Sequence, residues 1–411
     1  MQKQSESTGI SCRVEKAKMM MAEKGYSERT IENYEYIWRS LIEYAGAKEE
    51  ILCVDDLIAS FARDRYRVAD ILHPKTDREK DYARKLLCLQ EITTGTWITH
   101  RSYRQPEQFK STDFKEAYDC YSNRLAEKKL KQRSISLKRQ ILRDFLLFAE
   151  NEGSNDIKEL DLTIVSHYLT AKKNLSTPAK SNIIITLRDF FRTPEISAQL
   201  TRDLSINLKV YHDGRYERLP STYSKDEIRS ILSCIDRTQP EGKKDYAVIL
   251  MAVDTGMRMS DIINLKLTDI KWSTESIEFF QIKTGEFVSA SISNALKLAL
   301  LDYLMYARPK NTAVKNLFLR SLAPYTSYIS AGHYYKRLNK YFKAAGVKTD
   351  GKHHGMHTLR HSLAARLMAD NVPITIISES LGHKYANVTK QYIRIDTDKL
   401  RLAALEVTFD E

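Results

Sequence analysis

Glycine and proline are scarce in this chain: 14 Gly and 9 Pro among 411 residues. Turn-rich β architectures draw heavily on both, so their scarcity argues against such folds and favours helices. Cysteine is equally sparing. Cys12, Cys53, Cys88, Cys120 and Cys234 are odd in number, widely spaced and never paired as C-x-x-C, which excludes a disulfide framework and a zinc ribbon and fits a reducing, cytoplasmic setting. Long apolar runs are missing too. The longest, Ala247 to Val253, falls far short of the ~20 residues of a membrane span, and the first residues lack the apolar core of a secretion signal. There is no G-x-x-x-x-G-K-[ST] loop for ATP. What is present is an ordinary globular composition, 42% apolar and 29% charged, in a chain long enough for two or three domains. Lys and Arg number 65 against 53 Asp and Glu, a net +12 that admits a nucleic-acid partner without demanding one.

The chain resembles itself. AEKGYSERT from Ala22 and AEKKLKQRS from Ala126 match at a displacement of 104 residues. At that displacement Ile31, Ile37, Trp38, Leu41, Tyr44 and Ala45 fall opposite Ile135, Ile141, Leu142, Phe145, Phe148 and Ala149, all at helical spacing. IASF from Ile58 and IVSH from Ile164 continue the correspondence once two residues are inserted. The pattern predicts a duplicated small helical bundle.

A stretch with Gly214 and Pro220 but no sustained period follows. It ends at Ser224 with Glu227 three residues on, the capping box that opens a helix. Helices are expected to about Ile235, from Lys244 to Asp254 with Gly256 as the stop, and from Ser260 to Leu265. Leu267–Trp272, Ser276–Lys283 and Glu286–Ile292 read as three strands, the last two joined by a two-residue hairpin at Thr284 and Gly285. Further helices are expected at about Asn294–Ala307, Ser327–Ala345, Thr358–Ala369 and Ile374–Leu381.

Within this last region lie TGMRMSDI around Arg258, QIKTGE around Lys283, HTLRH from His357 to His361, LGH ending at His383 and VTKQY ending at Tyr392. Each alone is a weak signal. In this order and at these intervals they resemble the catalytic domain of the tyrosine recombinases, the integrase family that includes the Xer proteins. The resemblance is close over about 215–411 and looser over 110–205, which is similar to that family's helical core-site-binding domain. It implies a mainly α fold, with two small helical (SAM-like) DNA-binding bundles before a mostly helical catalytic domain holding a small three-stranded antiparallel sheet. The expected division is 1–105 for the first bundle, 106–205 for the core-binding domain, 206–222 for a linker and 223–411 for the catalytic domain.

The chemistry explains the residue types. Attack on a phosphodiester builds negative charge on the non-bridging oxygens, and fixed guanidinium forks match them, which makes Arg258 and Arg360 the phosphate clamps. The resemblance makes Tyr392 the nucleophile, since Thr389 to Tyr392 matches the family's T-x-x-Y and leaves Tyr385 to packing. Its phenol, with an ordinary pKa near ~10, needs a proton acceptor. His357 and His383 can each accept or donate a proton. His357 is preferred as base, and the family pattern gives His383 a phosphate hydrogen bond. By the same resemblance Lys283 protonates the leaving 5′ oxygen, and Asp261 orients the arginines. His333, His353, His354, His357, His361 and His383 crowd the last third, yet no H-E-x-x-H, C-x-x-C or carboxylate pair accompanies them, so no metal or cofactor is expected.

The resemblance thus implies a site-specific recombinase that cleaves and rejoins DNA through a 3′-phosphotyrosyl intermediate, acting for a mobile element. Xer-type dimer resolution, a topoisomerase of the type IB kind and an idle DNA-binding regulator are the rivals. The implied partners are double-stranded recombination sites and three further copies of the chain. The apolar face of Leu400, Ala403, Ala404 and Val407 would be exchanged between neighbours of that tetramer. Accessory DNA-binding proteins are compatible with this scheme, and a membrane is not part of it.

Overall fold

A computed structural model describes residues 2–47, 53–94, 108–172, 175–209, 220–310 and 312–382. The chain divides into two compact units, one of residues 104–218 and one that joins 1–103 to 219–411.

Residues 1–103 contribute helices α1 (Gln2–Glu23), α2 (Glu28–Ala47), α3 (Val54–Tyr66) and α4 (Asp77–Thr94). The apolar stripe of α2 buries Tyr34, Ile37, Trp38 and Leu41. Trp38 is fully buried, and its indole N–H donates to the Lys85 carbonyl at 2.6 Å, so burial leaves no polar group unsatisfied there.

The 104–218 unit holds α5 (Thr112–Glu127), α6 (Gln132–Asn151), α7 (Leu162–Ala171), α8 (Thr177–Phe191) and the short α9 (Pro194–Ser197). Helix α6 begins and ends 104 residues after α2, and it buries Ile141, Leu142 and Phe145 where α2 buries Ile37, Trp38 and Leu41. Its core gathers Phe114, Tyr121, Phe145, Phe190 and Phe191. At the core's edge Asp189 accepts hydrogen bonds from Tyr121 Oη, Lys128 Nζ and Lys138 Nζ, each at 2.9 Å. Burial alone would raise the Asp189 pKa, but these donors outweigh it and bring the value to about 2.

Residues from 220 onward form α10 (Lys225–Ser233), α11 (Pro240–Thr255), α12 (Met259–Ile262), β1 (Ile270–Lys271), β2 (Ser276–Phe280), β3 (Phe287–Ser291), α13 (Asn294–Tyr306), α14 (Gly332–Ala344), α15 (Met356–Ala369) and α16 (Ile374–Ser380). The capping box at Ser224 and Glu227 is formed. Helix α11 is buried on all sides from Ala247 to Val253, which explains why the longest apolar run belongs at the centre of this region. It packs against α13 and α15. The sheet is antiparallel in the order β1-β2-β3, with Ile277 opposite Ala290 and Phe279 opposite Val288.

Three expectations differ from the structure. Leu267–Asp269 is a 3-10 turn and only Ile270–Lys271 is strand, because Asp269 accepts the Lys266 N–H and closes a turn there. The connection after β2 is a six-residue loop from Gln281 to Glu286, not a two-residue hairpin. The buried Asp261 carboxylate takes the Ile282 N–H at 3.0 Å and draws the backbone off the ladder. Helix α14 starts at Gly332 rather than Ser327, since Tyr328 is buried as loop beside Tyr334. Residues 210–219 of the expected linker lie outside the described residues.

Candidate active site

Of the six residues singled out by the sequence, Arg258, Lys283, His357 and Arg360 fall within the described residues. His383 and Tyr392 lie outside them, as does the proposed exchange segment 396–411. The chain is described up to Gly382, the residue before His383.

Arg258 stands at the N-cap of α12 in extended backbone conformation, immediately after the α11 stop. That stop is Gly256, whose φ of 63° suits a residue without a side chain. A Cβ there would also meet Leu381 Cδ2 at 2.7 Å and Leu363 Cδ2 at 2.9 Å. The Arg258 guanidinium donates to Gln281 Oε1.

Arg360 lies one turn into α15 and is 2% exposed. Its Nη1 donates to the Gly256 carbonyl at 2.8 Å and its Nη2 to the Leu381 carbonyl at 2.6 Å. Burying a guanidinium is costly without such partners, and the two carbonyls fix the plane of the fork. The helix end at Gly256 and the turn at Leu381–Gly382 are thereby tied to one side chain.

His357 and His361 lie one helical turn apart on α15, on either side of Arg360 in sequence, and their rings meet edge to face at 4.7 Å. Desolvation, followed by the charges of Arg360, Arg258 and Lys283, lowers the His357 pKa to about 4. His357 is exposed, which discounts the first cause, but the three cations act in the same direction. His357 is therefore neutral at neutral pH and able to accept a proton. Burial, with His357 and Arg360 next, lowers His361 likewise, to about 3. Lys283 is exposed on the loop between β2 and β3, where a long stem has room to swing. Asp261 accepts from that loop at Ile282 N, so it orients the lysine's loop.

One residue near this cluster escaped the sequence reading, and a second was seen there only as a histidine weighed for metal binding. Gln281 is 3% exposed and touches both Arg258 and Leu381. Its signal was parity: Ile277 and Phe279 face inward on β2, so the next residue in step, a polar glutamine, falls on the buried side. His361 was visible as a histidine one helical turn beyond His357.

A family model described as the phage integrase family matches residues 222–399. The putative integrase/recombinase y4gC of Sinorhizobium fredii (strain NBRC 101917 / NGR234) is 33% identical over 190 residues, covering 46% of this chain and 96% of that protein. The chain belongs to the phage integrase family. It is a tyrosine recombinase of the Xer-like type, and tyrosine recombinases are by class site-specific DNA recombinases. The putative integrase/recombinase y4rA of the same organism is 30% identical over 283 residues, which span 67% of this tyrosine recombinase and 66% of y4rA. Among solved structures, the XerH site-specific recombinase bound to palindromic difH substrate, a post-cleavage complex, shares the fold at a TM-score of 0.55 and 20% identity. That likeness covers 84% of this chain and 93% of XerH.

Proposed function

We propose that this tyrosine recombinase cleaves and rejoins DNA strands at specific sites through a covalent bond between Tyr392 and a 3′ phosphate. The Tyr392 oxygen attacks phosphorus and gives its proton to His357. The bond from phosphorus to the 5′ oxygen breaks, and Lys283 protonates that leaving oxygen. Arg258 and Arg360 hold the non-bridging oxygens as charge builds on them, and His383 adds a hydrogen bond. Because the ester conserves the energy of the bond it replaces, a 5′ hydroxyl from another duplex can reverse the attack without ATP or metal. The observation that carries this reading is the placement of His357 one turn before Arg360 on α15, where desolvation first, and then the charges of Arg360, Arg258 and Lys283, lower its pKa and favour the neutral imidazole.

Charge divides the DNA grip. Residues 104–218 hold 21 basic and 16 acidic side chains and residues 219–411 hold 27 and 20, whereas 1–103 hold 17 of each. The first two segments are suited to clamp phosphate, with the steep salt dependence that implies. The neutral first bundle, aligned with 104–218 at the 104-residue displacement, is a duplicated module directed at another protomer or a second site. An added module of this kind favours integration and excision of a mobile element over dimer resolution. Four copies on DNA, joined by exchange of 396–411, complete the scheme.

Suicide DNA substrates test the reaction. The wild-type chain should accumulate a covalent protein–DNA complex, and Tyr392→Phe should form none. An equal adduct in the mutant refutes the assignment, and relaxation of supercoils without strand exchange points to a topoisomerase. Deleting 396–411 should abolish assembly and strand exchange while sparing single-site binding.

A further inference from the structure

We propose that Gln281 is a positioning residue for strand cleavage, one side-chain amide that sets the Arg258 guanidinium and ties the Lys283 loop to the turn preceding His383. The inference rests on the recombinase reading above.

A buried amide is costly unless each of its polar atoms finds a partner, and those of Gln281 all do. Its Oε1 accepts from Arg258 Nη1 and from Thr284 Oγ1, the latter at 2.8 Å, and its Nε2 donates to the Leu381 carbonyl at 3.1 Å. The orientation of the amide is not arbitrary. A guanidinium can only donate and a carbonyl can only accept, so only one of the two flips satisfies both neighbours. The Leu381 carbonyl also accepts from Arg360 Nη2 at 2.6 Å, so one oxygen is shared by Gln281 and the second arginine. A Cβ on Gly382 would lie 2.3 Å from Gln281 Nε2, so the amide packs directly on the residue before His383. The loop closes around its own first residue. Gln281 N donates to the Glu286 carbonyl at 2.9 Å, and Gly285 N donates to the Gln281 carbonyl at 2.8 Å.

No other common side chain would serve in the same way. Glutamate has the same shape but places a full negative charge against Arg258, where it competes with the phosphate, and it lacks the hydrogen that Leu381 requires. Asparagine is a methylene shorter. A neutral amide fixes the guanidinium without neutralising it.

The test uses the full chain in single-turnover cleavage, with Gln281→Met as a shape-preserving variant and Gln281→Glu as a second. Both are measured alongside melting temperature and DNA affinity. Gln281→Met should cleave about 10–100-fold more slowly than wild type, the cost of a small misplacement of reacting groups, while DNA affinity stays within about twofold. A substrate with sulfur in place of the 5′ bridging oxygen separates the two arms, because a thiolate leaves without a proton. Rescue on it should be partial: the contribution through Lys283 is bypassed and that through Arg258 is not. Full rescue, or none, removes one arm and overturns the coupling as stated. Cleavage by Gln281→Met within about twofold of wild type overturns it entirely. Where Gln281→Met melts too low to assay, Gln281→Glu decides, with a loss of at least about 10-fold expected and wild-type cleavage contradicting the inference. If the wild-type chain itself forms no covalent adduct, the recombinase reading has failed, and the two failures are thereby distinguishable.

Discussion

Replacing Arg360 with lysine separates what this side chain does for the fold from what it does for chemistry. The guanidinium reaches two carbonyls with two nitrogens, Gly256 at 2.8 Å and Leu381 at 2.6 Å, in a position 2% exposed. A lysine keeps the charge but presents a single nitrogen on a flexible stem, so it can serve one of these carbonyls well and not both. A buried hydrogen bond from a charged donor contributes roughly 1.5–3 kcal/mol, and an abandoned acceptor costs a similar amount, so Arg360→Lys should destabilise this region by about 2 kcal/mol. In a cooperative region of this size that is a fall of about 4–8 °C in Tm. The assay is thermal unfolding followed by circular dichroism without DNA, so that catalysis plays no part. Arg360→Ala, which loses both bonds and leaves a cavity, should fall further. A lysine variant that melts within about 1 °C of wild type refutes the claim that the fork holds the two segments together.

Four other outcomes follow from the same structure. The His357 ring in DNA-free protein should titrate well below 6.5, toward about 4, when followed by NMR, and a midpoint at or above 6.5 contradicts the cation cage. Because His357 and His361 both have folded pKa values below their unfolded ones, the unfolded chain binds more protons below pH 6.5. Their contribution to stability is complete above that pH and is lost as pH falls toward their folded values of about 4 and about 3. Urea unfolding should show that slope and His361→Gln should flatten it. Asp189→Ala should weaken the 104–218 unit by about 2 kcal/mol by stranding Tyr121 Oη and two lysines, read as faster hydrogen exchange in α5 and α8. With the Asp189 pKa lowered to about 2, the wild-type carboxylate should add stability above pH 3.8 that fades as pH falls toward 2. Gly256→Ala should cost about 2–4 kcal/mol in urea unfolding, since the left-handed backbone and two leucine methyl groups both oppose a Cβ.

Much of this was legible in the sequence where local chemistry decides. Ser224 with Glu227 and Gly256 after an apolar run announce helix ends through a side-chain cap and left-handed backbone, and the structure has those ends within a few residues. Arg258, Lys283, His357 and Arg360 were picked out by the resemblance of their order and spacing to the tyrosine recombinases, and phosphate chemistry accounts for their residue types. The loop between β2 and β3 was not. Its shape is set by Asp261 and by Gln281, whose partners are distant in sequence: 21 residues separate Asp261 from the Ile282 N–H that donates to it, and 100 separate Gln281 from the Leu381 carbonyl that accepts from it. Strand periodicity carries no information about such contacts, and it extends a ladder until something outside it intervenes. The buried role of Arg360 was hidden for the same reason. As a residue type it signalled phosphate binding, while its hold on Gly256 and Leu381 depends on tertiary placement alone.

The central claim is that Tyr392 becomes covalently bound to DNA, and peptide mapping of a trapped complex tests it most directly. After nuclease and protease digestion, mass spectrometry should find a nucleotide attached through a 3′ phosphate to the peptide containing Tyr392. The same nucleotide on a peptide carrying Tyr385 without Tyr392, or on any other residue, contradicts the account.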